Sequence, residues 1–188
     1  MFETTLISFR NIIDNLIFNL MRILKSYLLT LLTVIIFVTI GCSQKKSSPP
    51  ATASGTIDGV DITIDYHQPS AKGRKIMNGL VPFSKIWRTG ANNATTIEFS
   101  GDVKVEGKDL PAGKYALFTI PAANEWVVIF NKTSDQWGAY NYQEKEDALR
   151  VKVKPSNVDM VETFVINVVE DGVEFKWENT AVKFRVQK

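Results

Sequence analysis

Residues 60–66 read Val60-Asp61-Ile62-Thr63-Ile64-Asp65-Tyr66, a strict alternation of apolar and polar side chains. A period of two puts the Val, both Ile and the Tyr on one face, as a strand with one buried side requires. Asp58-Gly59, immediately before it, is a hairpin-turn pair. The same alternation recurs to the C-terminus. Thr95–Phe99 and Val103–Glu106 flank the turn Gly101-Asp102, and Lys114–Ile120 and Glu125–Phe130 flank Pro121–Asn124. Ala148–Lys154 stops at Pro155. Val161–Val169, Val173–Trp177 and Ala181–Val186 are separated by Asp171-Gly172 and by Glu178-Asn179-Thr180, both read as turns. The pattern predicts an all-β domain, a single antiparallel sandwich or jelly-roll of about nine short strands.

One stretch breaks the pattern. Lys72–Asn93 contains Gly, Pro and basic residues without a clean period. An irregular segment of that length in a small β-domain is usually a functional loop or one packed by its own side chains.

The chain has 188 residues, with 22 Lys and Arg against 20 Asp and Glu. That balance argues against nucleic acid as a partner, since reading phosphates needs a basic excess. One Cys excludes an internal disulfide and multi-cysteine metal sites, and one His excludes any site needing two imidazoles. No cofactor or metal is expected.

The N-terminal region reads as an address. Leu28–Ile40, LLTLLTVIIFVTI, is uncharged and matches the length of a signal-peptide core rather than of a spanning helix. Arg22 and Lys25 precede it, and Gly41 stands directly before Cys42. This layout resembles a bacterial lipoprotein signal, which implies a lipid on Cys42; Thr39 departs from it, since Leu is usual there. Residues 1–20 are surplus to such a signal and read as the product of a start assigned too early, with Met21 the initiator. The alternative is a genuine amphipathic extension. The expected organisation is therefore 1–20 extension, 21–41 signal peptide, 42–53 lipidated Cys and polar tether, and 54–188 β-domain. Ser43 after the Cys, by analogy with Gram-negative lipoproteins, suggests the outer membrane, and the domain is expected to face the periplasm.

Two clusters carry the candidate chemistry. Lys85-Ile-Trp87-Arg88-Thr89-Gly90-Ala91-Asn92-Asn93 gathers a cation, an indole, a hydroxyl and amides about a Gly. Arg88 suits bidentate pairing with a carboxylate or phosphate, and Asn92 suits hydrogen bonds to hydroxyls. The competing reading makes Trp87 a plug at one end of the sandwich and Arg88 a clamp on loop carbonyls; it weighs more, because loops over a β-core need such clamps. Lys72-Gly73-Arg74-Lys75 is a basic cluster read chiefly as solvated loop charge, with Arg74 kept as a binding candidate. Trp137-Gly138-Ala139-Tyr140-Asn141-Tyr142 sets aromatic rings beside amides, which suits sugar stacking at Trp137 and Tyr140 or simple cover for the core edge.

Read as text, QPSAKGRKIMNGLVPFSKIWRTGANNATTIEF at 68–99 stands with GKDLPAGKYALFTIP, EWVVIFNK and QWGAYNYQEKEDALRVKVKP. Together they resemble the domain of unknown function 2911 family, proteins found mostly in Bacteroidota. The resemblance runs from about Gly55 to the C-terminus and rests on several ordered motifs, Trp87-Arg88-Thr89-Gly90-Ala91-Asn92 among them. It implies an envelope β-domain and no particular activity. His67 falls outside the matching positions.

Catalytic signatures are missing. There is no G-x-S-x-G elbow, H-E-x-x-H, phosphate-cradling Gly loop or dinucleotide fingerprint. A triad through His67 would take Asp65 or Asp61 from its own strand, whereas triad partners normally come from separate elements. The expected function is a membrane-anchored envelope lipoprotein whose β-domain binds a polar ligand, such as a glycan fragment, without catalysis. Two alternatives stand: a carboxylate-dependent hydrolase on the same scaffold, recognisable by two acids facing one cleft, and a purely structural envelope protein.

Overall fold

The structure is a computed structural model that describes residues 16–27 and 48–188. Residues 16–27 are helical, and no helix among the described residues is long and apolar enough to cross a membrane. Leu28–Ile40, Cys42 and the first part of the expected tether, up to residue 47, lie outside the described residues. The remainder belongs to one compact unit, Lys46–Lys188.

That unit has ten strands: β1 Pro50–Ile57, β2 Val60–His67, β3 Thr95–Phe99, β4 Val103–Val105, β5 Lys108–Leu110, β6 Gly113–Ile120, β7 Trp126–Asn131, β8 Asp147–Val153, β9 Ser156–Val169 and β10 Gly172–Gln187. They form a six-stranded sheet ordered β1-β2-β3-β6-β7-β8 and a four-stranded sheet ordered β5-β4-β10-β9, every pairing antiparallel. The expected all-β sandwich is the fold.

The alternation in β2 does what its pattern predicts. Val60, Ile62, Ile64 and Tyr66 are buried, while Asp61, Thr63 and Asp65 are exposed. The sheets meet through aromatic rings: Phe130 of β7 lies edge-on to Phe184 of β10 at 5.5 Å, and Tyr66 of β2 edge-on to Phe164 of β9 at 5.9 Å. Such pairs add roughly 0.5–1.5 kcal/mol each beyond area burial.

Three details differ from the sequence expectation. Pro50–Ile57 is a strand, pairing with β2 from Pro50↔His67 to Ile57↔Val60, so regular structure begins inside the stretch read as tether. Lys108–Leu110 is a short edge strand reached by a tight turn at Glu106-Gly107. Glu178-Asn179-Thr180 is not a turn: Val173–Trp177 and Ala181–Val186 are parts of the single strand β10, whose register with β9 shifts on both sides of Glu178. A bulge there, with Glu178 at φ 54°, re-aims its carboxylate, which accepts the amides of Ile76 and Met77 at 3.2 and 3.1 Å. The bulge thereby pins one end of the long loop.

What positions the site is the outer face of the six-stranded sheet. β6 and β7 are buried on both sides over most of their length. Ala116, Phe118 and Ile129 face away from the main core and are capped by Ile86 and Ala94 from one loop and by Ala139 and Tyr142 from another. Leaving that face to water would expose large apolar side chains, so both loops fold onto it.

Candidate functional site

Within Lys72–Asn93 the end carrying the candidate residues is the most tightly built. Trp87 exchanges two backbone hydrogen bonds with Thr119 of β6, at 2.8 and 2.9 Å, taking up the row beside β6 where β3 has not yet begun. Its indole points into the core, 8% exposed. It stacks on Trp177 at 6.0 Å and 19°, and packs edge-on to Phe164 at 5.3 Å. Its Nε1 donates to the carbonyl of Gly90 at 3.1 Å. Trp87 is thus a core plug that also lines a cleft.

Thr89 is fully buried with φ 52°, a left-handed conformation that β-branched residues rarely adopt. Thr95 holds it there: the Thr95 hydroxyl donates to the Thr89 carbonyl at 2.6 Å, and the Thr95 amide to the Arg88 carbonyl at 3.1 Å. The Thr89 hydroxyl donates to that of Thr119 at 3.2 Å. Strain of this kind costs about 1–3 kcal/mol and persists only where surrounding contacts over-determine it. Its effect is to throw Arg88 outward between two buried neighbours.

The Arg88 side chain makes no hydrogen bond or ion pair among the described residues, and its Nε is buried without a partner. It is therefore not the carbonyl clamp of the packing reading. Arg88 lines a cleft of ≈ 470 Å³, shared with Lys72, Arg74, Trp87 and Trp177. Arg74 is fixed there by its own backbone, Nε donating to the Ala71 carbonyl at 2.9 Å and Nη2 to the Ser70 carbonyl at 2.7 Å.

The aromatic run comes to the same place. Gly138 donates its amide to the Asn92 carbonyl at 3.1 Å, Ala94 donates to the Gln136 carbonyl at 3.0 Å, and Asn93 bridges Trp137. Gly138 has φ +65°, and a Cβ added to it would stand 3.1 Å from the Tyr140 ring and 3.9 Å from Nη1 of Arg88. The Arg88 guanidinium and the Tyr140 ring therefore flank one glycine. Trp137 and Tyr140 are 60% and 83% exposed. Asn92, at φ 58°, donates from its amide to the Ser48 carbonyl at 3.4 Å and so ties the start of the domain to the loop. Of the six sequence candidates, Arg74, Trp87 and Arg88 share the cleft, Asn92 joins the two loops, Tyr140 stands exposed across Gly138 from Arg88, and Trp137 stands exposed one residue before that glycine.

The base of the aromatic loop is a polar network. The Tyr142 hydroxyl donates to Asp147 at 2.6 Å and accepts from Arg150 Nη2 at 2.5 Å. Arg150 Nε donates to the same carboxylate oxygen at 2.6 Å, and Asn131 donates to the other at 2.8 Å. Burial first, and then the bond to Asp147, push the Tyr142 phenol up to about 12.

A second cleft, of ≈ 550 Å³, opens where β1, β2 and the loop at 134–136 meet; Asp65, His67, Lys114 and Asp135 line it. Asp65 accepts the Thr52 hydroxyl at 2.8 Å and lies 3.8 Å from Lys114, so it is already engaged. Pattern reading places His67 and Asp65 on one strand but has no means to bring Asp135 beside them. Among the described residues, no three His, Cys, Asp or Glu side chains gather as a metal site.

A family model described as Protein of unknown function (DUF2911) matches residues 48–186, from the loop-tying Ser48 to Val186 near the end of β10. No curated protein and no solved structure matches.

Proposed function

The chain belongs to the DUF2911 family, and we propose that it is a lipid-anchored envelope protein whose β-domain binds a polar ligand without transforming it. The observation that carries the binding reading is the meeting of two loops at Gly138, which sets the unpaired Arg88 guanidinium beside the exposed Tyr140 ring. A partly buried cation without a counter-charge is costly in a resting protein, and solvent-exposed rings beside it offer stacking surface. A polar solute with hydroxyl and anionic groups, such as a glycan fragment, answers both. Support for the anchor comes from the signal-like order of Arg22, Lys25, the apolar run Leu28–Ile40 and Gly41-Cys42. Ser43 after that Cys favours the outer membrane, and a tether without an acidic run favours a domain that faces the periplasm.

The test is a thermal-shift screen of the full chain in detergent micelles against glycan and peptidoglycan fragments, with Trp137→Ala and Tyr140→Ala alongside. A ligand present at a hundredfold excess over its Kd stabilises by about 2.7 kcal/mol. A shift that is lost in the aromatic variants supports the reading; a fragment panel without any shift sinks it.

The hydrolase reading keeps one observation of its own, Asp65 and Asp135 facing a common cleft with His67. It requires that Asp65→Asn and Asp135→Asn each abolish a glycosidase or esterase activity that wild type displays on chromogenic substrates.

A further inference from the structure

The ≈ 470 Å³ cleft is lined by three cationic side chains, Lys72, Arg74 and Arg88, and by no Asp or Glu among the described residues. The rest of its lining is mostly apolar, with Leu80, Val81, Trp87 and Trp177, joined by Ser48 and Ser70. The nearest carboxylate by hydrogen bonding, Glu162, uses one oxygen on the Lys72 amide at 2.7 Å. Each cation is positioned by something other than an acid at its charged end: Arg74 by the Ser70 and Ala71 carbonyls, Lys72 by its bonded amide, and Arg88 by the strained turn at Thr89.

Elsewhere the arginines behave differently. Arg150 pairs with Asp147 and Glu144 at 2.6 and 3.1 Å, and Arg185 with Glu106 at 2.9 Å. Of the two guanidiniums that line the cleft, neither pairs with an acid among the described residues: Arg74 is bonded to carbonyls, and Arg88 has no partner. Like charges lining one cleft repel, and no carboxylate among its lining residues compensates them.

We infer that this cleft is the anion subsite of the binding site, holding the carboxylate or phosphate of a small organic ligand on Arg88, with Lys72 and Arg74 supplying charge and Leu80 and Val81 receiving an apolar body. The inference rests on the binding reading above and names the part of the ligand that the aromatic rings do not explain. Terminal guanidinium nitrogens present two parallel donors to an oxyanion, and a low-dielectric wall strengthens that pairing. The same site rejects neutral analogues, because they leave the guanidinium desolvated and unpaired.

Calorimetric titration of the full chain in detergent micelles with benzoate, phenyl phosphate and benzyl alcohol tests this, with indole fluorescence as a second readout since Trp87 and Trp177 line the cleft. The expected result is that at least one of the anions binds about tenfold or more tighter than benzyl alcohol, and that raising salt weakens it. The tighter of the two anions assigns the cleft to carboxylate or to phosphate. Arg88→Gln should erase the preference for anions while near-UV circular dichroism stays unchanged. Equal binding of benzyl alcohol, no binding of either anion at about 10 mM, or an undiminished preference in Arg88→Gln overturns the inference. Should Arg88→Gln fail to fold, wild-type selectivity and its salt dependence decide the matter, and a preference insensitive to salt overturns the inference. A glycan hit that needs Trp137 and ignores Arg88→Gln would leave the binding reading standing and remove the anion subsite alone.

Discussion

The amide of Gly138 donates to the carbonyl of Asn92 at 3.1 Å, and through that bond two loops far apart in sequence become one surface. Each loop has its own reason to lie on the outer face of β6 and β7, since Ile86 and Ala94 cover one part and Ala139 and Tyr142 another. Burial brings the loops down, and the Gly138–Asn92 bond fixes how they abut. Around that junction stand the partly exposed Arg88 from one loop and the exposed Trp137 and Tyr140 from the other.

Gly138→Ala tests that junction. The residue sits at φ +65°, and its new Cβ would press on the Tyr140 ring at 3.1 Å. A left-handed alanine costs about 1 kcal/mol or more, while the ring can swing away into solvent. The expected outcome in urea denaturation is a lower midpoint with an unchanged m-value, together with weaker binding of any ligand that stacks on Tyr140. A variant as stable as wild type would mean that the junction tolerates a shifted loop.

Trp87 and Trp137 should separate cleanly. Trp87 is buried against Trp126, Phe164 and Trp177, so Trp87→Ala opens a cavity costing about 3–5 kcal/mol. Trp137 is 60% exposed, and Trp137→Ala should change stability by less than about 0.5 kcal/mol. Equilibrium denaturation of the two variants measures both. A small loss at Trp87 would contradict its place in the core.

The contrast between those two tryptophans shows what pattern can and cannot reveal. Both stand in loops among polar residues, and no periodicity distinguishes a plug from a platform; only the Trp87–Thr119 backbone pairing turns one inward. Strands with large apolar residues on one face, such as β2 and β10, are readable because burial dictates their alternation. β1 is hidden for a packing reason. Its Pro-Ala-Thr-Ala-Ser-Gly run has no large apolar side chain because β9 lies close against it: a Cβ on Gly55 would come within 2.8 Å of Val168. Small residues there are the signature of a close approach, and they look the same as a tether. The Glu178 bulge reads as a turn because polar residues interrupting a strand have the same composition in both cases. Arg88 is legible as a candidate, but the acid-free company of Lys72 and Arg74 depends on the path of the loop and not on spacing.

The anchor makes a chemical prediction about Cys42. If the lipoprotein reading holds, cells fed labelled palmitate incorporate it into the chain, and the protein partitions into the detergent phase. Cys42→Ser should abolish both, since stable anchoring takes more than one acyl chain at about 0.8 kcal/mol per buried CH₂. Label retained in Cys42→Ser would refute lipidation at that residue. If Cys42→Ser blocks processing, the uncut chain also separates the two starts, because it keeps residues 1–20 only when translation begins at Met1.

The Tyr142 network predicts how the aromatic loop responds to alkali. In the folded protein burial, and then the hydrogen bond to Asp147, raise the phenol from its ordinary 10.0 to about 12. The protonated form is thus favoured by folding, so its contribution is complete below pH 10 and drains away as pH climbs from 10 toward about 12. The expected melting temperature is insensitive to this group at neutral pH and falls across that alkaline window. Tyr142→Phe keeps the ring that packs edge-on to Phe118 at 5.1 Å and leaves Asp147 bonded to Arg150 and Asn131, so the variant should fold. Its alkaline slope should be shallower than that of wild type. Because Tyr142 ends the run that begins at Trp137, the indole emission of wild type should shift in the same pH window and that of Tyr142→Phe should not. Identical slopes in the two proteins would show that the phenol–carboxylate bond does not hold the loop, and that packing of the ring on Phe118 suffices.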